Sequence, residues 1–126
     1  MPARYRDELL SRCGGRLMVT RSHAGCVVLF PQPDWDAFAA RMVTWPASME
    51  GWRRIYMGSA EPVEMDGSGR FLITPELRAK TKLDKTVLLK GIGNHFEIWD
   101  PATEAAAEEK LLAAGMSDEV ADRVQF

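Results

Sequence analysis

The segment Met65-Asp66-Gly67-Ser68-Gly69-Arg70, here called the glycine loop, carries the residues best suited to chemistry with a partner molecule. Its two glycines leave the segment without side-chain bulk, while Asp66 and Arg70 stand four positions apart. An arginine at the tip of a hairpin presents one cation to a flat, anionic partner, and its planar fork can donate to guanine O6 and N7 together. The pattern therefore favours DNA as the partner.

Each residue of the glycine loop has an expected role. Asp66 would gain little against phosphate, so we expect it to accept hydrogen bonds from loop amides or to hold the Arg70 guanidinium in one direction. Gly67 and Gly69 would let the main chain approach a groove, and Ser68 could donate to phosphate. An Asp-Gly pair is also a common hairpin turn, and on that interpretation Arg70 is simply solvated.

Metal and cofactor chemistry has little support. With Asp66 as the first ligand of a calcium loop, Phe71 would replace the required glycine and Leu77 the required glutamate, which excludes such a site. Cys13 and Cys26 form no C-x-x-C pair, so neither a zinc site nor a disulfide framework is indicated. We expect both cysteines to be small or half-buried residues, and we expect no metal and no cofactor.

An enzyme is the main alternative class. His23 and His95 lie in or beside hairpin turns, but neither stands in a pattern that pairs it with an activated nucleophile or a metal set. Cys26 is near His23 in sequence, which says little about their geometry. We therefore expect no catalytic residue.

Charge is distributed unevenly along the 126 residues, whose formal net charge is −2. Residues 70–90 carry six basic and two acidic side chains, a net charge of +4, whereas residues 100–126 carry two basic and seven acidic side chains, a net charge of −5. One face can therefore be cationic while the whole chain remains acidic.

Four basic residues follow the glycine loop and could steer a phosphate backbone toward Arg70. A solvated, charged helix flank is an equally good interpretation of them. They are Arg78, Lys80, Lys82 and Lys85.

Composition predicts a cytoplasmic protein that does not enter a membrane. With 46% hydrophobic residues, the chain is long enough for one modest core or for two small halves that share one. No stretch approaches the roughly 18 consecutive apolar residues of a membrane span, and residues 1–6 lack the apolar stretch of a signal peptide.

Short strands and short helices alternate in the first half. Residues 16–20 and 26–30 are typical of two strands around a turn. Residues 31–34 end the sheet and open a helix with Asp34 in its first turn, where the helix dipole favours an anion. Two helical stripes then indicate core or subunit contact. The stripes are Trp35, Phe38, Ala39, Met42 and Trp45, followed by Met49, Trp52, Ile55 and Tyr56.

The glycine loop is flanked by residues 63–65 and 70–73, which predict a hairpin or a swapped strand pair. Thr74 is placed as an N-cap and Pro75 as the first helical residue, so a short helix should carry residues 76–82.

Two further strands, 86–90 and 95–99, are predicted after that helix. Asp100 repeats the capping arrangement and opens a helix that Gly115 ends. Ser117 should cap a last short helix.

The order of elements contains an internal repeat. Residues 16–21 match 85–90, and residues 28–30 match 97–99, with the same offset in both strands. The chain therefore consists of two copies of a strand, short helix, hairpin and helix unit. In the second copy the glycine loop and a strand precede the Pro75 helix, and the first copy has no counterpart. The repeat thus predicts a missing segment with a second strand and loop.

These features together resemble the MraZ family of bacterial transcriptional regulators. No single segment would suffice, but their order and spacing match over nearly the whole chain. The segments are residues 2–6, 29–35, 65–70 with 73–75, and 96–100.

The resemblance implies an α+β fold with two AbrB-like swapped-hairpin modules in tandem, of double-split β-barrel type, with short flanking helices. The modules would be residues 1–60, N-terminally incomplete, and residues 61–126, together one compact pseudo-symmetric unit. Family members use an Asp-x-x-x-Arg loop in each module to read DNA, and Asp66 and Arg70 match it in the second. The DNA-binding residues expected on this basis are Asp66, Gly67, Ser68, Gly69, Arg70 and Arg78.

The resemblance also implies a cytoplasmic, nucleoid-associated homo-oligomer in the form of a ring. Its partner would be double-stranded DNA with G-rich direct repeats upstream of the division and cell-wall gene cluster. The alternative is a ring-forming structural or protein-interaction module that has lost DNA binding, because the loop of the first module is absent. Affinity for DNA that falls steeply with salt would distinguish the two.

Overall fold

A five-stranded antiparallel sheet with helices on both faces forms the framework, and the computed structural model describes residues 1–125. The combination is an α+β architecture, as the sequence predicts. The longest helix has 14 residues, and no helix in residues 1–125 is long and apolar enough to cross a membrane. The elements are α1 (Ala3–Cys13), β1 (Arg16–Arg21), β2 (Val27–Pro31), α2 (Gln32–Val43), a 3-10 turn (Ala47–Met49), α3 (Glu50–Gly58), β3 (Glu61–Glu64), α4 (Pro75–Lys80), β4 (Leu88–Gly91), β5 (Phe96–Trp99), α5 (Pro101–Ala114) and α6 (Asp118–Arg123).

The strand order is β3-β1-β2-β5-β4, and all neighbouring strands are antiparallel. The hairpins β1–β2 and β4–β5 meet at the centre of the sheet, where Val27 pairs with Ile98 and Leu29 with Phe96. β3 follows three helices in the chain and returns to pair with β1 at one edge. Two hydrogen-bonded ladders, β2–β5 and β1–β3, therefore join the two halves of the sequence.

β2 is buried along its whole length because helices cover both faces of the sheet. Its side chains alternate, so that Val27 and Leu29 belong to one core cluster and Val28 and Phe30 to the other. The first cluster is completed by Leu9, Cys13, Leu17, Val19, Met65, Ile73, Leu77, Leu83 and Ile98. The second is completed by Cys26, Trp35, Met42, Tyr56 and Trp99.

Three helices begin at the capping residues that the sequence predicts. The side chains of Thr74, Asp100 and Ser117 each accept a hydrogen bond from the amide three residues on, at 3.4, 2.9 and 3.2 Å respectively. Asp100 also accepts a bond from the Thr103 hydroxyl, and the two bonds lower the pKa of this carboxyl. Gly115, with φ of +70°, ends α5 as expected.

The predicted strand over residues 70–73 is wrong: this segment forms no strand. Hydrogen bonding between its two arms ends at the Asp66–Arg70 turn, and Leu72 is 78% exposed. The segment instead places Ile73 in the core and then enters α4 at Pro75, which has no amide hydrogen to donate to a ladder. The path of residues 70–73 is thus set by burial of Ile73 and by the N-cap of α4, and not by pairing with another strand.

The start of β4 and the end of α4 each differ by two residues from their predicted positions. β4 begins at Leu88 instead of residue 86, because Leu88 pairs with Trp99 and the chain beyond Trp99 turns into α5. α4 ends at Lys80 instead of residue 82, and Lys82 has a left-handed backbone with φ of +60° that cannot continue a helix.

Candidate nucleic-acid interface

The glycine loop is fixed to the sheet at its first residue. Met65 follows β3 and is buried in the first core cluster, and its amide donates to the Gly15 carbonyl at 2.8 Å. A β-carbon at Gly15 would lie 2.5 Å from the Met65 carbonyl oxygen, so only glycine permits this approach. The loop therefore starts from a rigid point beside the β1 strand.

The Asp66 carboxylate organises the rest of the loop. Its Oδ1 accepts hydrogen bonds from the amides of Ser68 and Arg70, both at 2.9 Å, and its Oδ2 accepts one from Arg70 Nε at 3.1 Å. The backbone closes the same turn, because the Asp66 amide donates to the Arg70 carbonyl and the Gly69 amide donates to the Asp66 carbonyl, each at 2.9 Å. Asp66 therefore makes both contacts that were expected of it, to loop amides and to the guanidinium.

These bonds keep Asp66 ionised. The amide of Arg70, then the amide of Ser68 and the Arg70 side chain, lower the pKa of the Asp66 carboxyl against the opposing effect of partial desolvation. The bonds therefore favour the ionised form of Asp66, which is the form that pairs with Arg70.

Arg70 is anchored at one nitrogen and open at the others. Only Nε bonds to Asp66, the side chain is 80% exposed, and within residues 1–125 neither Nη group has a hydrogen-bond partner. An ion pair this exposed adds little to stability, about 0–1 kcal/mol. Its effect is directional, because the Nη edge of the fork points away from the anchored Nε and can take a bidentate acceptor.

The two glycines of the loop are not equivalent. Gly69 has φ of +81°, and a β-carbon there would lie 2.6 Å from Arg6 Nε and 3.0 Å from the Met1 carbonyl oxygen. Gly67 needs neither positive φ nor empty space, since nothing lies within 4 Å of a β-carbon built on it. The fold therefore requires glycine at position 69 and leaves position 67 unconstrained.

Two groups from the start of the chain lie behind the loop, and sequence reasoning missed them as site residues. The Met1 amino group donates to the Gly69 carbonyl at 3.0 Å, and Arg6 Nη2 donates to the Met1 carbonyl at 3.4 Å. Arg6 Nε is buried without a hydrogen-bond partner in the part of the chain that the structure describes. Arg6 adds positive charge next to the loop. The only sequence signal was the presence of Arg6 in the segment 2–6.

The four basic residues after the loop are held in different ways. Arg78 is partly buried, and its Nη2 donates to the Asp84 carbonyl at 2.6 Å, which ties α4 to the following turn. Lys80 pairs with Glu76 at 3.1 Å, whereas Lys82 and Lys85 are exposed. Contact of Arg78 with a phosphate backbone stays a prediction.

The three residues considered for catalysis, His23, His95 and Cys26, are hydrogen-bonded, stacked or buried within the fold. His23 Nδ1 lies 2.5 Å from the Tyr56 hydroxyl, and His95 stacks on Phe30 with 5.2 Å between ring centroids. Cys26 is fully buried, which raises its pKa to about 12 and disfavours the reactive thiolate. Within residues 1–125 no group of three or more His, Cys, Asp or Glu residues could hold a metal ion.

The glycine loop thus presents an exposed, oriented arginine on a turn beside an antiparallel sheet. Residues 56–126 match the family model described as "MraZ protein, putative antitoxin-like". A protein of Cupriavidus taiwanensis named "Transcriptional regulator MraZ" is 47% identical over 118 residues, which cover 94% of this chain and 83% of the relative. A protein of the same name from Herminiimonas arsenicoxydans is 46% identical over 122 residues, 97% of this chain and 86% of the relative. The chain belongs to the MraZ family, as the resemblance predicted.

Proposed function

We propose that this chain is a sequence-specific DNA-binding transcription regulator that reads base edges with Arg70. The observation that carries the proposal is the anchored guanidinium, held by Asp66 through Nε with its Nη edge exposed. The names of the matched relatives support a role in transcription regulation. We assign no catalytic residue and no cofactor to this function.

The geometry of Arg70 suits guanine. Guanine presents O6 and N7 side by side in the major groove, and an arginine that donates to both discriminates against other bases by about 1–3 kcal/mol. Fixing Nε beforehand reduces the side-chain entropy lost on binding. G-rich repeats are therefore the expected target, in the control region of the division and cell-wall gene cluster as the family membership implies.

The other loop residues would position the backbone. Ser68 is exposed and its hydroxyl can donate to phosphate, and open space around Gly67 allows close approach of a DNA strand. Arg6 would supply positive potential behind the loop. Arg78 would contribute from the flank.

The sheet topology supports two modules related by the internal repeat, residues 1–60 and residues 61–126. Each half contributes one hairpin followed by a helix, β1–β2 with α2 and β4–β5 with α5. β3 belongs to the second half but pairs with β1 of the first, which is an exchange of strands of the kind expected from swapped hairpins. We propose that the halves are AbrB-like modules that share one core.

Several copies are needed for tight binding. One loop can read only a few base edges, so specificity requires linked loops that engage successive repeats through a raised effective concentration. A ring-shaped homo-oligomer on direct repeats in the cytoplasmic nucleoid meets this need.

A fluorescence anisotropy titration tests the proposal. The probe is a labelled duplex with tandem G-rich repeats, compared with a scrambled duplex at two salt concentrations. Arg70→Ala should weaken binding to the repeats about 10- to 100-fold, and Arg70→Lys should keep salt-dependent binding but lose the preference for the repeats.

Arg123→Ala is the matched control. Arg123 is also 80% exposed and also pairs with an acidic residue four positions away, Glu119 at 3.6 Å. If Arg70→Ala and Arg123→Ala bind the repeats equally well, Arg70 does not read DNA. Binding that is absent in the unaltered protein at low salt would favour the protein-interaction module instead.

A further inference from the structure

The two hairpins of the sheet can be matched position by position through the helices that follow them. The residue before the N-cap of the following helix is Phe30 in the first hairpin and Trp99 in the second. Phe30 pairs with Met18 and Trp99 pairs with Leu88, so Leu88 of β4 is the counterpart of Met18 of β1. This match lies one residue from the one that the sequence repeat gives, because the turn of the second hairpin is shorter by one residue.

β1 and β4 differ in what lies beside their other edge. β3 covers that edge of β1, where Leu17 pairs with Val63, whereas β4 ends the sheet and no strand in residues 1–125 lies beyond it. β1 accordingly has six residues and β4 only four. The counterparts of the first two residues of β1 are Thr86 and Val87, which form no strand. We call residues 86–89 the β4 edge.

The β4 edge exposes apolar side chains and peptide groups. Leu17 is fully buried, whereas its counterpart Val87 is 42% exposed and the next residue, Leu88, is 38% exposed. Val87 lies on the same face of the strand as Leu89, which packs against the first core cluster. The amides of Thr86 and Val87 donate no hydrogen bond within residues 1–125. An added strand would cover these side chains and pair with these amides.

The opposite edge of the sheet is protected against such pairing. It is formed by β3, which contains Pro62, a residue without an amide hydrogen, and exposes the charge of Glu64. The β4 edge has no proline and no charged residue, and it exposes Val87 and Leu88 instead. The two edges therefore differ in how readily they accept a further strand.

β3 also indicates the chemistry of a strand that fits. In it, Val63 packs against the first core cluster and the next residue, Glu64, is acidic. Before the β4 edge, the exposed side chains of Lys82 and Lys85 outweigh the one exposed acid between them, Asp84. An extended segment in which apolar residues alternate with acidic ones would complement this surface.

We propose that the β4 edge is a docking site for an extended segment of another protein, which adds a strand antiparallel to β4 as β3 does to β1. Main-chain hydrogen bonds to residues 86–89 supply affinity, and an apolar side chain beside Val87 with an acidic one near Lys85 supplies specificity. The inference goes beyond the proposed DNA binding, because the glycine loop takes no part in this contact.

A labelled peptide with the sequence of residues 59–66, which contains β3, tests the site on the full chain. Fluorescence anisotropy should show saturable binding at least about tenfold tighter than that of a scrambled peptide. Hydrogen exchange should slow at residues 86–89 when the peptide is added. Slowing at residues 16–19 instead, where the peptide could replace β3, would contradict the proposal, as would binding no tighter than that of the scrambled peptide.

Two sets of variants test the contact itself. Thr86→Pro with Val87→Pro removes both free amides and should abolish binding, whereas Thr86→Ser with Val87→Ile keeps them and should bind the peptide normally. Lys85→Glu should weaken binding about three- to tenfold, and Lys110→Glu, at an exposed lysine of α5, is its control. Far-UV circular dichroism checks that each variant is folded. Equal binding by the proline variant would overturn the proposal.

Two further results separate this proposal from others. If residues 86–89 of the unaltered chain become protected as its own concentration rises, a second copy occupies the β4 edge and the proposal of a separate partner is wrong. Arg70→Ala should lose DNA affinity and keep peptide binding, so a failure of the docking site is distinguishable from a failure of the DNA-binding proposal.

Discussion

The glycine loop and the end of α5 are both exposed, yet they are held in opposite ways. The loop is anchored by buried Met65 and by the bonds of Asp66, so its exposed arginine has a defined direction. The end of α5 has no buried residue and exposes large apolar side chains instead. An exposed polar side chain that is held by hydrogen bonds, as in the loop, suits the recognition of a polar surface. Exposed apolar side chains on a preformed helix, as at the end of α5, suit packing against a protein.

The largest expected effect is on stability, and it compares a buried residue beneath the loop with an exposed residue at the end of α5. Met65→Ala should lower the free energy of unfolding by about 2–5 kcal/mol, because Met65 is buried in the core beneath the loop. Leu111→Ala should change it by less than about 0.5 kcal/mol in the monomer, because that side chain is exposed. Urea titration of both variants measures the difference, and equal losses would remove the distinction between the regions.

A second effect separates the two glycines of the loop. Gly69→Ala should cost about 1–3 kcal/mol of stability, because alanine is strained at positive φ and its methyl group would meet Arg6. Gly67→Ala should leave the urea midpoint unchanged. If Gly67→Ala nevertheless weakens DNA binding, the added methyl group obstructs the DNA and not the fold.

A smaller effect is expected from Asp66→Asn. The amide keeps an acceptor oxygen for the loop but loses the charge that holds Arg70 Nε, so DNA affinity should fall about 3- to 10-fold, less than for Arg70→Ala. Anisotropy titrations of the two single variants and of the double variant measure this. Effects that simply add would show that Asp66 does not act through Arg70.

The smallest effect is a pH dependence. The folded pKa of Asp66 lies below its ordinary value of 3.8, so its contribution to stability is fully present above that value and is lost as pH falls through the lowered pKa. The difference in urea midpoint between the unaltered chain and Asp66→Asn should therefore shrink below about pH 4. A difference that stays constant down to pH 2 would contradict this assignment.

Local features were predictable from the sequence, and the reason is physical. The caps at Thr74, Asp100 and Ser117 and the turn centred on Asp66 depend on residues within four positions of one another. The apolar stripe of α2 was also predictable, because Trp35 and Met42 repeat at helical spacing and are buried.

Features that depend on distant residues were not predictable. The pairing of β3 with β1 and the contact of Arg6 and Met1 with Gly69 join segments far apart in the chain, and no local spacing encodes them. The expected strand over residues 70–73 failed for a related reason, since its apolar run has a strand-like composition but no strand beside it in residues 1–125. An alternation of apolar and polar residues predicts which side chains can be buried. It does not predict which other strand the segment will pair with.

The burial of β2 on both faces has a consequence for how the chain reaches its native state. β2 borders β5, which ends at Trp99, so its second edge stays unsatisfied until the chain has left the ribosome as far as that residue. Contacts of such long sequence separation slow folding, and the nascent first hairpin would present an apolar, unpaired edge during synthesis. Chaperone capture of ribosome-bound chains should therefore end abruptly once residues 96–99 emerge.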